Sequence, residues 1–173
     1  KKTSIKLKPI NIKWQLKPYS SDLELNRHII DKLLAKLLNF RFEFPEIEFK
    51  YRIFDILKKE KNVDLLISIA DPHHIHWGIA KSKDKLKDKF PKKWIADCGD
   101  PFMMNNLTND HLPKFEKDER LFCEKADFIT IPVLKALDYY YSEYKNKFRV
   151  IPQGFRFETP SYIKFSPINE ILE

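Results

Sequence analysis

At 173 residues the chain has the length of one ordinary domain, and 43% hydrophobic residues with 14% aromatics supply a core too large for a disordered segment. No uninterrupted apolar run approaches the roughly 18 residues of a membrane span, and residues 1–8 lack the apolar centre of a signal peptide, so the chain is expected to be cytoplasmic. The net charge of +7 is partly concentrated in Lys81, Lys83, Lys85, Lys87, Lys89, Lys92 and Lys93, which points either to a solvated helix face or to an anionic partner. Cys98 and Cys123 lack the CxxC spacing of a zinc or redox site and are expected to be free thiols.

In chain order, a short strand is predicted at residues 4–8, followed by a polar stretch through Pro18. A helix then opens at Ser21 with Glu24 three residues on, a capping-box pattern, and takes its apolar face from Ile30, Leu33, Leu34, Leu37 and Leu38. A second helix follows Pro45, with Phe49, Ile53, Ile56 and Leu57 on one side. The run VDLLISIA, residues 63–70, is almost wholly apolar and predicts a central parallel strand covered on both faces. The next helix begins near His73, where Ile75, Ile79, Leu86 and Phe90 form an apolar stripe beneath the lysines. Residues 93–98 (KWIADC) predict a strand, 113–125 a helix and 128–131 (FITI) a strand. Pro132 opens a helix to about Tyr144 that buries Leu134, Leu137, Tyr141 and Tyr144, and 148–151 (FRVI) closes the series as a strand.

Such alternation predicts an α/β fold: a Rossmann-like open parallel sheet with helices on both faces and ligands outside the carboxyl ends of its strands. The loops that follow those ends hold the unusual polar residues. ADPHHIHWG places Asp71, His73, His74 and His76 at a strand end and helix start, where free backbone N–H groups attract anions and a histidine can exchange protons near neutral pH. IADCGDPF adds Asp97, Asp100 and Pro101, and Asp100, beyond Gly99, is the better placed of the two carboxylates to reach a crevice. Asp71, His73, His76 and Asp100 are together also suitable metal ligands for a hydrolase, although HHIH lacks the HExxH arrangement. Gly78, Gly99 and Gly154 make neither GxGxxG nor a P-loop, and no GxSxG elbow is present.

DLLISIADPHHIHWGIA, KWIADCGDPF, EKADFITIP and FRVIPQGF, in that order over about residues 64–155, resemble the amino-terminal, acceptor-side domain of family 4 glycosyltransferases. The resemblance implies one half of a GT-B fold, with a nucleotide-sugar donor bound mainly by a second domain and transfer that retains anomeric configuration and needs no metal or other cofactor. By the resemblance His73 or His74 and Asp100 line the cleft and Gly154 marks the crossing to the second domain; joined to the reading of the two loops, this makes Asp100 and His73 the expected catalytic residues, and Asp71, His74, His76, Pro101 and Gly154 the expected binders of acceptor or phosphate. The implied layout is an acceptor-side domain over residues 1–155 and a tail over 156–173 too short to be the donor domain. The implied partners are a sugar or lipid-linked acceptor and the donor domain, with an anionic membrane surface at residues 81–93 and no nucleic acid. The glycine-rich loop of the family's first strand is not evident, and the glutamates here do not supply its donor motif. By itself the chain is expected to be inactive, the other readings being a basic binding module or a metal-dependent hydrolase.

Overall fold

A computed structural model describes residues 8–10, 29–70, 72–104 and 111–152. The strand predicted at 4–8, the capping box at Ser21 and Glu24, Asp71 and Gly154 lie wholly or almost wholly outside these residues. The elements are α1 (Ile29–Phe42), α2 (Ile47–Leu57), β1 (Leu65–Ile69), α3 (His74–Leu86), β2 (Lys93–Asp97), α4 (Lys114–Lys125), β3 (Phe128–Ile131) and β4 (Phe148–Val150). The four strands form one sheet in the order β1-β2-β3-β4, parallel throughout. The predicted α/β parallel architecture is therefore present.

Strands laid down in chain order, each joined by a right-handed crossover, put their connecting helices on the same face. That face carries Ser68, Trp94, Ala96, Cys98, Ile129, Ile131 and Phe148, each less than a tenth exposed. Trp77 of α3 and Phe122 of α4 pack over it with no exposure at all, and α2 packs on α3 through Ile53. A second helical layer requires the winding to reverse, and the described strands contain no reversal. Leu65, Ile67 and Ile69 on the opposite face are consequently 47%, 52% and 64% exposed. β1 has the composition of a central strand but, among the described residues, stands at an edge with one face open, which there corrects the expectation of cover on both its faces.

The helix predicted after Pro132 is instead two 3₁₀ segments, Leu134–Tyr139 and Ser142–Lys147. The extended residues between them, Tyr140 and Tyr141, break the stripe expected of one helix: they are buried together with Ala136, and Leu134 is left 67% exposed. Two lysines satisfy the end of α4. Lys83 donates to the Lys125 carbonyl at 2.7 Å, and Lys147 donates to the Cys123 and Ala126 carbonyls at 3.0 Å each, where the helix dipole favours a cation. Cys98 and Cys123 are free and buried, and burial pushes both thiols upward in pKa, away from reactivity.

Helices α2 and α3 touch where Gly78 faces Ile53. A Cβ on Gly78 would lie 2.8 Å from the Ile53 Cβ and 3.0 Å from the Lys50 carbonyl oxygen. Gly78→Ala is expected to destabilise the chain by about 1–3 kcal/mol despite alanine's better helix propensity, measured as a lowered urea midpoint. A midpoint equal to or above the parent's would show that the α2–α3 contact is not tight.

Candidate functional site

The carboxyl ends of the strands are held level by the ladder that continues past them. The Ala70 N–H donates to the Asp97 carbonyl at 3.0 Å and the Cys98 N–H to the Thr130 carbonyl at 2.8 Å. The segments after β1 and β2 therefore leave the sheet side by side, and they meet: the His73 and His74 rings lie 5.6 and 6.1 Å from that of Phe102. Asp100 is exposed on this shared rim, and Pro101 behind it is buried. Asp97 points to the open face of the sheet and accepts a hydrogen bond from the Thr130 hydroxyl.

The histidines face inward. His76 has no exposure, its Nδ1 lies 2.8 Å from the Ser68 hydroxyl, and its Nε2 lies 3.3 Å from the Asp97 carbonyl oxygen. Trp94 Nε1–H, which can only donate, meets the same Ser68 oxygen at 2.8 Å. A carbonyl only accepts, so the proton of His76 is assigned to Nε2, its Nδ1 accepts from Ser68, and Ser68 accepts from Trp94. The donors and acceptors of Trp94, Ser68 and His76 in this relay are all matched when His76 is neutral. Burial first, then the charge of His73, hold its pKa down to about 3, against the opposing hydrogen bond to Asp97.

His74 is also fully buried, but neither ring nitrogen has a hydrogen-bond partner. Glu46 Oε2 at 3.7 Å is beyond hydrogen-bond range, and a neutral ring makes no ion pair with it. Burial, followed by Lys50, His73 and His111, holds this imidazole at about 3 as well. His73 sits at the start of α3 with 9% exposure, its ring 5.9 Å from that of His76 and 6.5 Å from that of Phe122. The structure thus gathers His73, His74 and His76 beneath the rim and leaves Asp100 above it.

Glu119 was not singled out by the sequence reading, although its position four residues after Phe115 puts a carboxylate on the apolar face of α4. It accepts the Phe102 N–H at 2.8 Å, the Met103 N–H at 3.4 Å and the Tyr141 hydroxyl at 2.7 Å. One side chain joins α4, the loop bearing Asp100 and the link between β3 and β4. Burial raises its pKa more than these donors lower it. His111, also unanticipated, stacks on Phe102 at 3.8 Å and bonds Glu43 at 2.9 Å, tying the loop to the end of α1.

Most of the lysine cluster is engaged within the chain. Lys81 pairs with Asp118, Lys83 and Lys93 with Asp127, and Lys92 with Asp64. Among the described residues no three His, Cys, Asp or Glu side chains are placed to hold a metal, and no helix is long and apolar enough to cross a membrane. Comparison with protein-family models, curated proteins and solved structures gives no match.

Both inward histidines refuse protons that the unfolded chain accepts. Their folded pKa values are depressed, so the stability they confer is complete above the unfolded value near 6.5 and declines as pH falls toward 3. With two such groups the expected slope approaches about 2.7 kcal/mol per pH unit in mid-window. His74→Phe, which removes no hydrogen bond, should leave stability at pH 7 unchanged or raised and roughly halve that slope. Urea unfolding at pH 7 and pH 5 checks this, and an unaltered slope would exclude His74 as one of the two groups.

Glu119→Ala should cost about 2–4 kcal/mol by stranding a buried backbone donor, a part-buried one and a buried phenol. Hydrogen exchange should show the Phe102 and Met103 amides losing protection while β2 keeps its own. Unchanged exchange at those amides would mean that the loop is held by other contacts.

Proposed function

We propose that the chain is the acceptor-side domain of a GT-B glycosyltransferase related to family 4, in which an acceptor hydroxyl meets a sugar delivered from a nucleotide donor held by a second domain. The convergence of the segments after β1 and β2 on one rim, with Asp100 exposed on it, is the observation that carries this reading. It agrees with the order of motifs along residues 64–155 and with ligand binding at the carboxyl ends of parallel strands.

In this reading Asp100 accepts the hydrogen bond of the attacking hydroxyl, and His73 packs under the loop that presents it. His74 and His76 act through the core, with His76 fixing the end of β2 through the Asp97 carbonyl. The donor is a nucleotide sugar, the acceptor a sugar or lipid-linked sugar, and the transfer proceeds with retention as in the family resembled. The metal-hydrolase alternative is disfavoured because both His76 nitrogens are engaged, by Ser68 and by Asp97, so a metal would have to break the chain that holds β1, β2 and α3 together.

The test has two parts. Titration of the chain with a panel of saccharides, followed by NMR, should shift the resonances of Gly99, Asp100 and Phe102, while nucleotide sugars alone should not. In a chain that carries the donor domain, Asp100→Asn should lower kcat by roughly 10²–10⁴ with little change in KM. Full activity of that variant, or nucleotide-sugar shifts in the isolated chain, would sink the assignment.

A further inference from the structure

The direction of each element decides where the lysines without internal partners collect. Helices α2 and α3 run side by side in the same sense: His74 faces Glu46, Lys50 lies over the Trp77 ring at 5.5 Å, Gly78 meets Ile53, and Lys85 lies over the Phe54 ring at 5.3 Å. Their carboxyl ends therefore lie together, at the amino end of the sheet, because α2 leads into β1 there and α3 leads into β2. Lys58, Lys59 and Lys61 come from the end of α2, and Lys85, Lys87 and Lys89 from the end of α3, all six exposed. None of the six makes an ion pair among the described residues. The acids of the same end are largely matched among the described residues: Glu60 by Lys8, Asp64 by Lys92, Asp84 and Glu124 by a shared Lys125, and Asp127 by Lys83 and Lys93, which leaves Asp55 and Asp88 wholly unpaired to oppose the six.

We infer that this end of the domain docks on the anionic surface of a lipid bilayer. This surface is not the run of lysines at residues 81–93. Lys81, Lys83, Lys92 and Lys93 of that cluster are tied to carboxylates, whereas Lys58, Lys59 and Lys61, distant in sequence, join the surface. A bilayer asks for diffuse positive charge without register, and exposed lysines supply it. Nucleic acid favours the bidentate guanidinium and exposed rings for bases. The six charges are all lysines, while Arg149 at the same end donates to the Asn146 and Phe148 carbonyls and lies over the exposed ring of Phe128 at 5.1 Å, so that guanidinium and that ring engage each other. Leu65, 47% exposed at the amino end of β1, adds an apolar contact of the kind that reaches the headgroup boundary. The docking surface and the candidate site occupy opposite ends of the strands, so the inference stands whether or not the rim at Asp100 transfers sugar.

The experiment is co-sedimentation of the full chain with phosphatidylcholine vesicles with and without about one-fifth phosphatidylserine. Binding is expected only with the anionic lipid and is expected to weaken with added salt. Lys59→Glu/Lys89→Glu takes one lysine from each helix end, and at about fivefold per lost lysine, more for a reversed charge, it should lower the partition coefficient at least 20-fold. Lys117→Glu/Lys135→Glu makes the same charge change near the carboxyl end of the sheet and should lower it less than fivefold, with circular dichroism verifying that both variants remain folded. The inference is overturned if the parent ignores anionic vesicles, if the two double variants lose binding equally, or if duplex RNA displaces the chain from vesicles at equal charge concentration.

Discussion

The fold depends on a short relay of buried hydrogen bonds. Trp94 of β2 donates to Ser68 of β1, Ser68 donates to His76 of α3, and His76 donates back to the Asp97 carbonyl at the end of β2. Each group has one role available once the indole and the carbonyl are fixed, so the relay runs in one direction and specifies one tautomer. It joins two strands and the helix between them at the level where the sheet ends. In a low-dielectric interior a fully satisfied network of this kind gives rigidity and a single arrangement, whereas a network missing one member would leave costly unpaired groups. The position of the rim above it follows from that constraint.

Glu119 performs the equivalent task one layer outward, gathering the loop after β2 and the link after β3 onto α4. The candidate site is thus a solvent-facing carboxylate carried by a loop whose backbone is bonded from beneath at Phe102 and Met103. Charge is arranged along the same axis. Lysines and acids near the amino ends of the strands largely neutralise one another or cap α4, and the surplus appears at the surface rather than against the core.

Much of the architecture is legible in the sequence because apolar periodicity reports burial directly. FITI is β3 residue for residue, and Ile79, Leu86 and Phe90 are buried as their spacing implies. Spacing failed after Pro132, where apolar residues at helical intervals sit in 3₁₀ turns; tyrosines at 139, 140 and 141 give little intrinsic support to an α-helix, and tertiary packing of Tyr140 and Tyr141 decided the outcome. The histidines show the limit for the site. Their clustering in HHIH was visible, but the groups that make His76 structural carry no local signature: Ser68 lies 8 residues before it, and Trp94 lies 26 residues beyond Ser68. Glu119 was hidden for the opposite reason: a carboxylate on an apolar stripe looks like an irregularity until the donors it collects are known.

The edge formed by β1 has a practical side. Leu65, Ile67 and Ile69 line one face of a strand whose outer N–H and C=O groups have no neighbouring strand among the described residues, and the surrounding run lacks proline and glycine. Natural sheets usually interrupt such an edge with an inward-pointing charge, a bulge or a proline. Among the described residues β1 has none of these, and any strand added there would pair with its outer N–H and C=O groups at a spacing of roughly 4.8 Å.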